Sequence, residues 1–168
     1  IYNDIGTTGG PSKWPRHEGT LTQTSAIGST PNTRQALAKR GAHAYAGLTM
    51  WTDVHLSARL RSPSLGSIGL LFRVRDNTHY YRFAINGQHN YCRLLRRDGD
   101  AMEALWEADL AVEVGRPYRV DIVAIGSRIV VYLDGRFVCA VHDRAHQNGR
   151  IGLYSYYNPG ANFSDLSV

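Results

Sequence analysis

From residue 51 onward, apolar and polar side chains alternate in short runs cut by turn residues. Val54, Leu56, Ala58 and Leu60 alternate with His55, Ser57, Arg59 and Arg61, the period of two expected of a half-buried strand. Arg-Ser-Pro-Ser-Leu-Gly (61–66) breaks it. Ile68, Leu70, Phe72 and Val74 then alternate with Gly69, Leu71, Arg73 and Arg75, and Asp76-Asn77 turns the chain. Tyr81, Phe83 and Ile85 oppose Tyr80, Arg82 and Ala84 up to Asn86-Gly87. A run over 91–97 follows, closed by Asp98-Gly99-Asp100, a hairpin signal. Further strands are expected over 118–124, 129–133, 137–141, 151–155 and 163–168, with turns at Gly126-Ser127, Asp134-Gly135 and Asn158-Pro159-Gly160.

Two segments resist this simple pattern. Residues 101–110 (AMEALWEADL) have the composition of a helix, yet their place after a hairpin turn favours a strand paired with 91–97, and we read them as that strand. Residues 33–40 (TRQALAKR) offer the one plausible helix, of a turn or two. The first 50 residues are rich in Gly, Ser and Thr and show little periodicity. Many short strands at roughly 8–12 residue spacing predict an all-β protein, an antiparallel β-sandwich or barrel. The 168 residues suit one such domain spanning 1–168.

Composition narrows the picture. Hydrophobic residues make up 43%, too many for a disordered chain, and no apolar run approaches the roughly 20 residues that cross a bilayer as a helix. The chain opens IYNDIGTTGG, without Met or an apolar leader core, and reads as a mature or excised domain. The net charge of +5 comes almost wholly from arginine, since Lys13 and Lys39 are the only lysines among 19 basic residues. Nucleic-acid footprints usually mix both cations in one stripe, whereas Arg93, Arg96 and Arg97 divide between the two faces of their strand. Neither a nucleic acid nor a membrane is expected as a partner.

The order of motifs carries a resemblance. Gly-Pro-Ser-x-Trp (10–14) and Glu-Gly-Thr-Leu-Thr-Gln (18–23) precede Trp-Thr-Asp (51–53), Gly-Ser-Ile-Gly-Leu-Leu-Phe-Arg (66–73) and Tyr-Tyr-Arg-Phe (80–83). Tyr-Leu-Asp-Gly (132–135), Asn-Gly-Arg-Ile-Gly-Leu-Tyr (148–154) and Asn-Phe-Ser-Asp-Leu-Ser-Val (162–168) complete the series. From Gly10 to Val168 the chain resembles the concanavalin A-like, laminin-G-like jelly roll of secreted bacterial proteins. Within that fold it is similar to the 3-keto-disaccharide hydrolase-like domains and the fructan-binding modules of bacterial levanases. The resemblance implies a non-catalytic carbohydrate-binding module of a larger secreted or cell-surface protein, its partner a polysaccharide or oligosaccharide. A glycoside hydrolase or polysaccharide lyase on the same fold, and a protein-adhesion module, are the alternatives.

If Ile68, Leu70, Phe72, Tyr81, Phe83, Val120, Ile122, Ile151 and Leu153 pack inward, the opposite positions carry Arg73, Arg75, Tyr80, Arg82, Asp121, Tyr132, Tyr154 and Tyr156. Tyrosine rings stack on sugar faces, and Arg and Asp hydrogen-bond hydroxyls. The candidate ligand residues are therefore Arg73, Tyr80, Arg82, Asp121, Tyr132, Tyr154, Tyr156 and Tyr157. The competing reading for Arg73 and Arg82 is a structural ladder with Asp76 and Asp121. For catalysis, no nucleophile or acid pair stands out. Glu103 and Glu107 are expected on one face, and His142 and His146 in a solvated loop. By analogy with related jelly rolls, a structural Ca²⁺ is expected between Asp4 and Asp165. Cys92 and Cys139, in separate strands, read as buried thiols rather than a disulfide.

Overall fold

The computed structural model of the chain describes residues 2–3 and 13–168. It holds two seven-stranded antiparallel sheets face to face. The first runs, in spatial order, β1 (Tyr2–Asn3), β4 (Ala42–Ala46), β13 (Arg150–Tyr156), β6 (Ser67–Asp76), β7 (His79–Asn86), β8 (Tyr91–Asp98) and β9 (Ala101–Asp109). The second runs β12 (Arg136–His142), β11 (Arg128–Leu133), β10 (Pro117–Ile125), β5 (Val54–Arg61), β14 (Ala161–Ser167), β3 (Thr20–Gln23) and β2 (Arg16–His17). The expected antiparallel β-sandwich is what the chain forms.

Each sheet buries the apolar member of its alternation. Leu56, Leu60, Val120, Ile122, Ile129 and Val131 from the second sheet meet Ile68, Leu70, Phe72, Phe83, Leu94 and Leu153 from the first. Each such side chain contributes about 1.5–3 kcal/mol when fully removed from water. Tight turns connect the hairpins where expected. Asp134 (φ 51) and Gly135 (φ 76) join Leu133 to its partner Arg136, and both lie in the left-handed region that a two-residue hairpin of this type needs. Cys92 and Cys139 are buried and unbonded to each other, as expected.

Residues 101–109 form a strand along the whole of β8. A register shift between Leu94 and Leu95 changes the face on which the β9 side chains fall. Glu107 lies opposite Arg93 and Glu103 opposite Arg96, so the two glutamates stand on different faces, contrary to expectation. The four strands missed in the first 50 residues, β1 to β4, are of two to five residues, and AHAYA of β4 lacks the β-branched residues that mark a strand.

The expected helix over 33–40 does not form. Instead, residues 29–41 cross the outer face of the first sheet as an irregular strap. Helix propensity loses here because the carbonyls that a helix would use internally are taken by the sheet. Arg93 donates to the carbonyls of Arg34 and Ala36, and Arg82 to those of Leu37 (3.0 Å) and Lys39 (3.1 Å). The Tyr154 hydroxyl donates to Lys39 O (2.6 Å) and the Tyr156 hydroxyl to Ser29 O (2.7 Å). Gly41 lets the strap lie this close, since a Cβ there would stand 2.1 Å from the Ser155 carbonyl oxygen.

Candidate binding surface

The strap decides which of the sequence-derived candidates can meet a ligand. Tyr80, Arg82, Tyr154 and Tyr156 project from the outer face of the first sheet, and all are buried beneath it. Leu71, Val74, Ala84 and Leu95 join them in a second apolar cluster, with Leu37 of the strap packed on top. The Arg82 guanidinium stacks 4.3 Å from the Tyr154 ring centre, and Arg93 lies 4.4 Å from that of Tyr91. Lys39 points into this layer. Burial, and then the charges of Arg93 and Arg82, lower its ammonium pKa to about 8. Tyr157 is half-buried and packs edge-on to Tyr156. The Tyr/Arg face expected to receive a ligand is thus occupied by the protein's own backbone.

Nor do Arg73 and Arg82 form a ladder with Asp76 and Asp121. Asp76 bonds His79 Nδ1 at 2.8 Å, and Arg73 belongs to a different contact set. Its buried guanidinium donates to Thr52 O and His146 O, both at 3.2 Å, and lies 3.8 Å from Asp53. Arg73 therefore ties the 47–53 loop to the 143–149 loop.

Asp121 and Tyr132 have another fate, because they lie on the second sheet. Among the described residues, no strap like that over 29–41 crosses its outer face. In register across four strands stand Phe137, Tyr132, Asp121 and Ser57. At about 4.8 Å between strands, this row is roughly 15 Å long. Phe137 is 62% exposed and meets Tyr132 edge to face at 6.2 Å. Beside them, Val123, Ile125, Arg128, Val130 and Tyr132 line a shallow depression of about 170 Å³.

The polar half of the row is set by charge. Burial would raise the Asp121 pKa, but the Ser57 hydroxyl, Arg119 and His55 hold it below the usual carboxylate range. Arg119 Nε donates to it at 3.2 Å, and His55 Nε2 lies 3.4 Å away. The next row places Arg119 opposite Arg59. Sheet pairing therefore assembles an aromatic pair, a fixed carboxylate and flanking donors on one flat, accessible surface.

The two candidate glutamates are each already paired with arginine. Glu107 is held by Arg93 (2.6 Å) and Arg34 (2.9 Å), and Glu103 by Arg96 (2.6 Å). His142 is exposed, but His146 is not in a solvated loop. Its ring is buried, with Nε2 2.7 Å from Arg97 O. Asp165 faces Arg59 at 3.3 Å, and Asp4 lies outside the described residues. Among the described residues, no three His, Cys, Asp or Glu side chains gather as a metal site would require.

The model of the 3-keto-alpha-glucoside-1,2-lyase-like domain family matches residues 5–168. The chain belongs to this family. A curated relative, the extracellular exo-alpha-L-arabinofuranosidase of Streptomyces chartreusis, is 28% identical over 129 residues, which is 76% of this chain. The chain spans only 14% of that relative's length. Among solved structures, this lyase-like domain superposes on carbohydrate binding module CBM66 from Bacillus subtilis with a TM-score of 0.65 at 19% identity, covering 98% of this chain and 95% of that one. It also superposes on galectin LEC-6 of Caenorhabditis elegans (TM-score 0.55, 10% identity, covering 76% and 90%). At these identities the structural neighbours establish the sandwich fold.

Sequence reasoning missed Phe137 and Ser57 in the row of this 3-keto-alpha-glucoside-1,2-lyase-like domain. The available signal was the Asp134-Gly135 turn, which places Phe137 alongside Tyr132 once the hairpin closes.

Proposed function

We propose that the domain is a non-catalytic carbohydrate-binding module that holds a glycan across the Phe137–Tyr132–Asp121 row. The observation carrying this reading is the registered placement of exposed Phe137 and half-buried Tyr132 beside a hydrogen-bonded carboxylate on the outer face of the second sheet. Phe137 and Tyr132 supply flat apolar contact to sugar C–H faces, while Asp121 and Arg119 exchange hydrogen bonds with hydroxyls. The sheet fixes these groups before ligand arrives, so little ordering entropy opposes binding. The similarity to a small part of an extracellular arabinofuranosidase supports a module that works outside the cell, tethered to other domains of a glycan-degrading protein.

The test is affinity electrophoresis and pull-down on arabinan, arabinoxylan and levan. Retention by at least one polymer is expected, and lost when Tyr132→Ala and Phe137→Ala are combined. Each aromatic contributes on the order of 1–2 kcal/mol, so the pair is worth about 30-fold or more in Kd. A folded sample retained by none of the three would overturn the reading. Release of reducing sugar from any of them would establish an enzyme instead.

A further inference from the structure

At one end of the sandwich, Met50, Trp51, Thr52, Asp53 and His55 line a cleft of about 510 Å³, within the size range of small-ligand sites. It lies beside the Phe137–Tyr132–Asp121 row and shares His55 with it. Met50 is 73% exposed, and Trp51 is half-buried with its ring against Gly47. The loop beneath is fixed at four points. Arg73 donates to Thr52 O, Gly149 N to Trp51 O (2.9 Å), Asn148 Nδ2 to Thr49 O (2.6 Å), and Gly126 N to the Asp53 carboxylate (2.9 Å). An aromatic residue, a thioether, a hydroxyl and a largely exposed carboxylate thus line a preorganised cavity. The neighbouring cation, Arg73, is buried beneath the loop, so the lining suits a neutral hydroxyl-rich ligand better than a polyanion.

His55 belongs to both places. It lines the cleft, and it lies two residues from Ser57 on the same outer face of β5, about 6–7 Å along the strand. We propose that the cleft is a second subsite for the same neutral glycan, taking the sugar residues that run past Asp121 and over His55, so that the domain discriminates by chain length. This rests on the binding function proposed above. Two contiguous subsites on one rigid scaffold convert the second contact into an intramolecular one, and affinity rises with each sugar added until both are filled.

The experiment is calorimetric titration with oligosaccharides of two to eight residues prepared from arabinan and from levan. In the native domain the affinity should climb by about tenfold or more from the short end of the better-bound series to a plateau at the long end. Met50→Ala and Asp53→Asn, at exposed positions, should flatten that climb and leave the shortest bound oligomer unchanged. Trp51→Ala gives the same result if it folds, as judged by circular dichroism. An unchanged length profile in the Met50 and Asp53 variants overturns the subsite, and the row stands if Tyr132→Ala still weakens every oligomer. If Tyr132→Ala has no effect, or no oligomer binds, both ideas fall.

Discussion

Replacing Arg82 by Met removes the central clamp on the strap while keeping most of the volume of the buried stem. Two guanidinium hydrogen bonds are lost, to Leu37 O and Lys39 O, together with the stack on Tyr154. Charged hydrogen bonds contribute about 1.5–3 kcal/mol each, and a desolvated cation–π contact about 2 kcal/mol. Against this stands the desolvation of the guanidinium, several kcal/mol, and its repulsion with Lys39 and Arg97. Lys39 O keeps the Tyr154 hydroxyl, so Leu37 O bears most of the loss, and a buried carbonyl deprived of its donor costs about 1–3 kcal/mol. The net expectation is a destabilisation of about 2–3 kcal/mol. For a protein of this size that lowers Tm by roughly 5–10 °C. Urea unfolding should show a lower midpoint at unchanged slope, and hydrogen exchange should accelerate at amides 34–41 ahead of the core strands. A loss under about 1 kcal/mol, or protection of the strap unchanged from native, would refute the clamp.

Other expectations concern protonation and chemistry. His43 is fully buried, and burial followed by the Arg82 and Arg97 charges drives its pKa well below the ordinary value. The unfolded chain takes up that proton below about pH 6.5 and the native one does not, so His43 costs stability as pH falls, by about 1.4 kcal/mol per unit. Urea titrations at pH 6.5 and 5.5 should show this slope, reduced in His43→Phe, and equal slopes in both proteins would sink the assignment. The thiols of Cys92 and Cys139 are pushed up to about 11 and about 12, chiefly by burial. Neither should react with a thiol reagent at pH 8 until urea unfolds the chain, and labelling of the native protein within minutes would contradict their burial. Glu107→Gln weakens the links to Arg93 and Arg34. It should lower stability by about 1 kcal/mol while leaving glycan retention unchanged, whereas lost retention at full stability would place Glu107 in a binding site.

The strands from β5 onward were legible because alternation fixes a side chain as inward or outward, and the inward sets at 54–60, 68–72 and 120–124 are strongly apolar. Alternation does not say which of two outer faces receives an outward residue. Tyr80 and Tyr132 therefore look equivalent in the sequence, although one is buried on the first sheet and the other half-exposed on the second. Residues 33–40 misled for a related reason. Local propensity carries no information about Arg82 and Arg93, which lie more than 40 positions away and claim the backbone oxygens. The change of face between Glu103 and Glu107 needed a register shift that no turn residue announces.

The clamp grips main-chain oxygens, and every amino acid supplies one of those. Arg82 and Arg93 would find the same acceptors at 34, 36, 37 and 39 if the strap's outward-facing side chains were exchanged, provided its path stayed the same. Leu37, Lys39 and Gly41 remain tied to the layer below, but elsewhere the strap is thus a replaceable cover. Its outward-facing positions are free to drift, or to be rewritten in the laboratory, without renegotiating the sheet below.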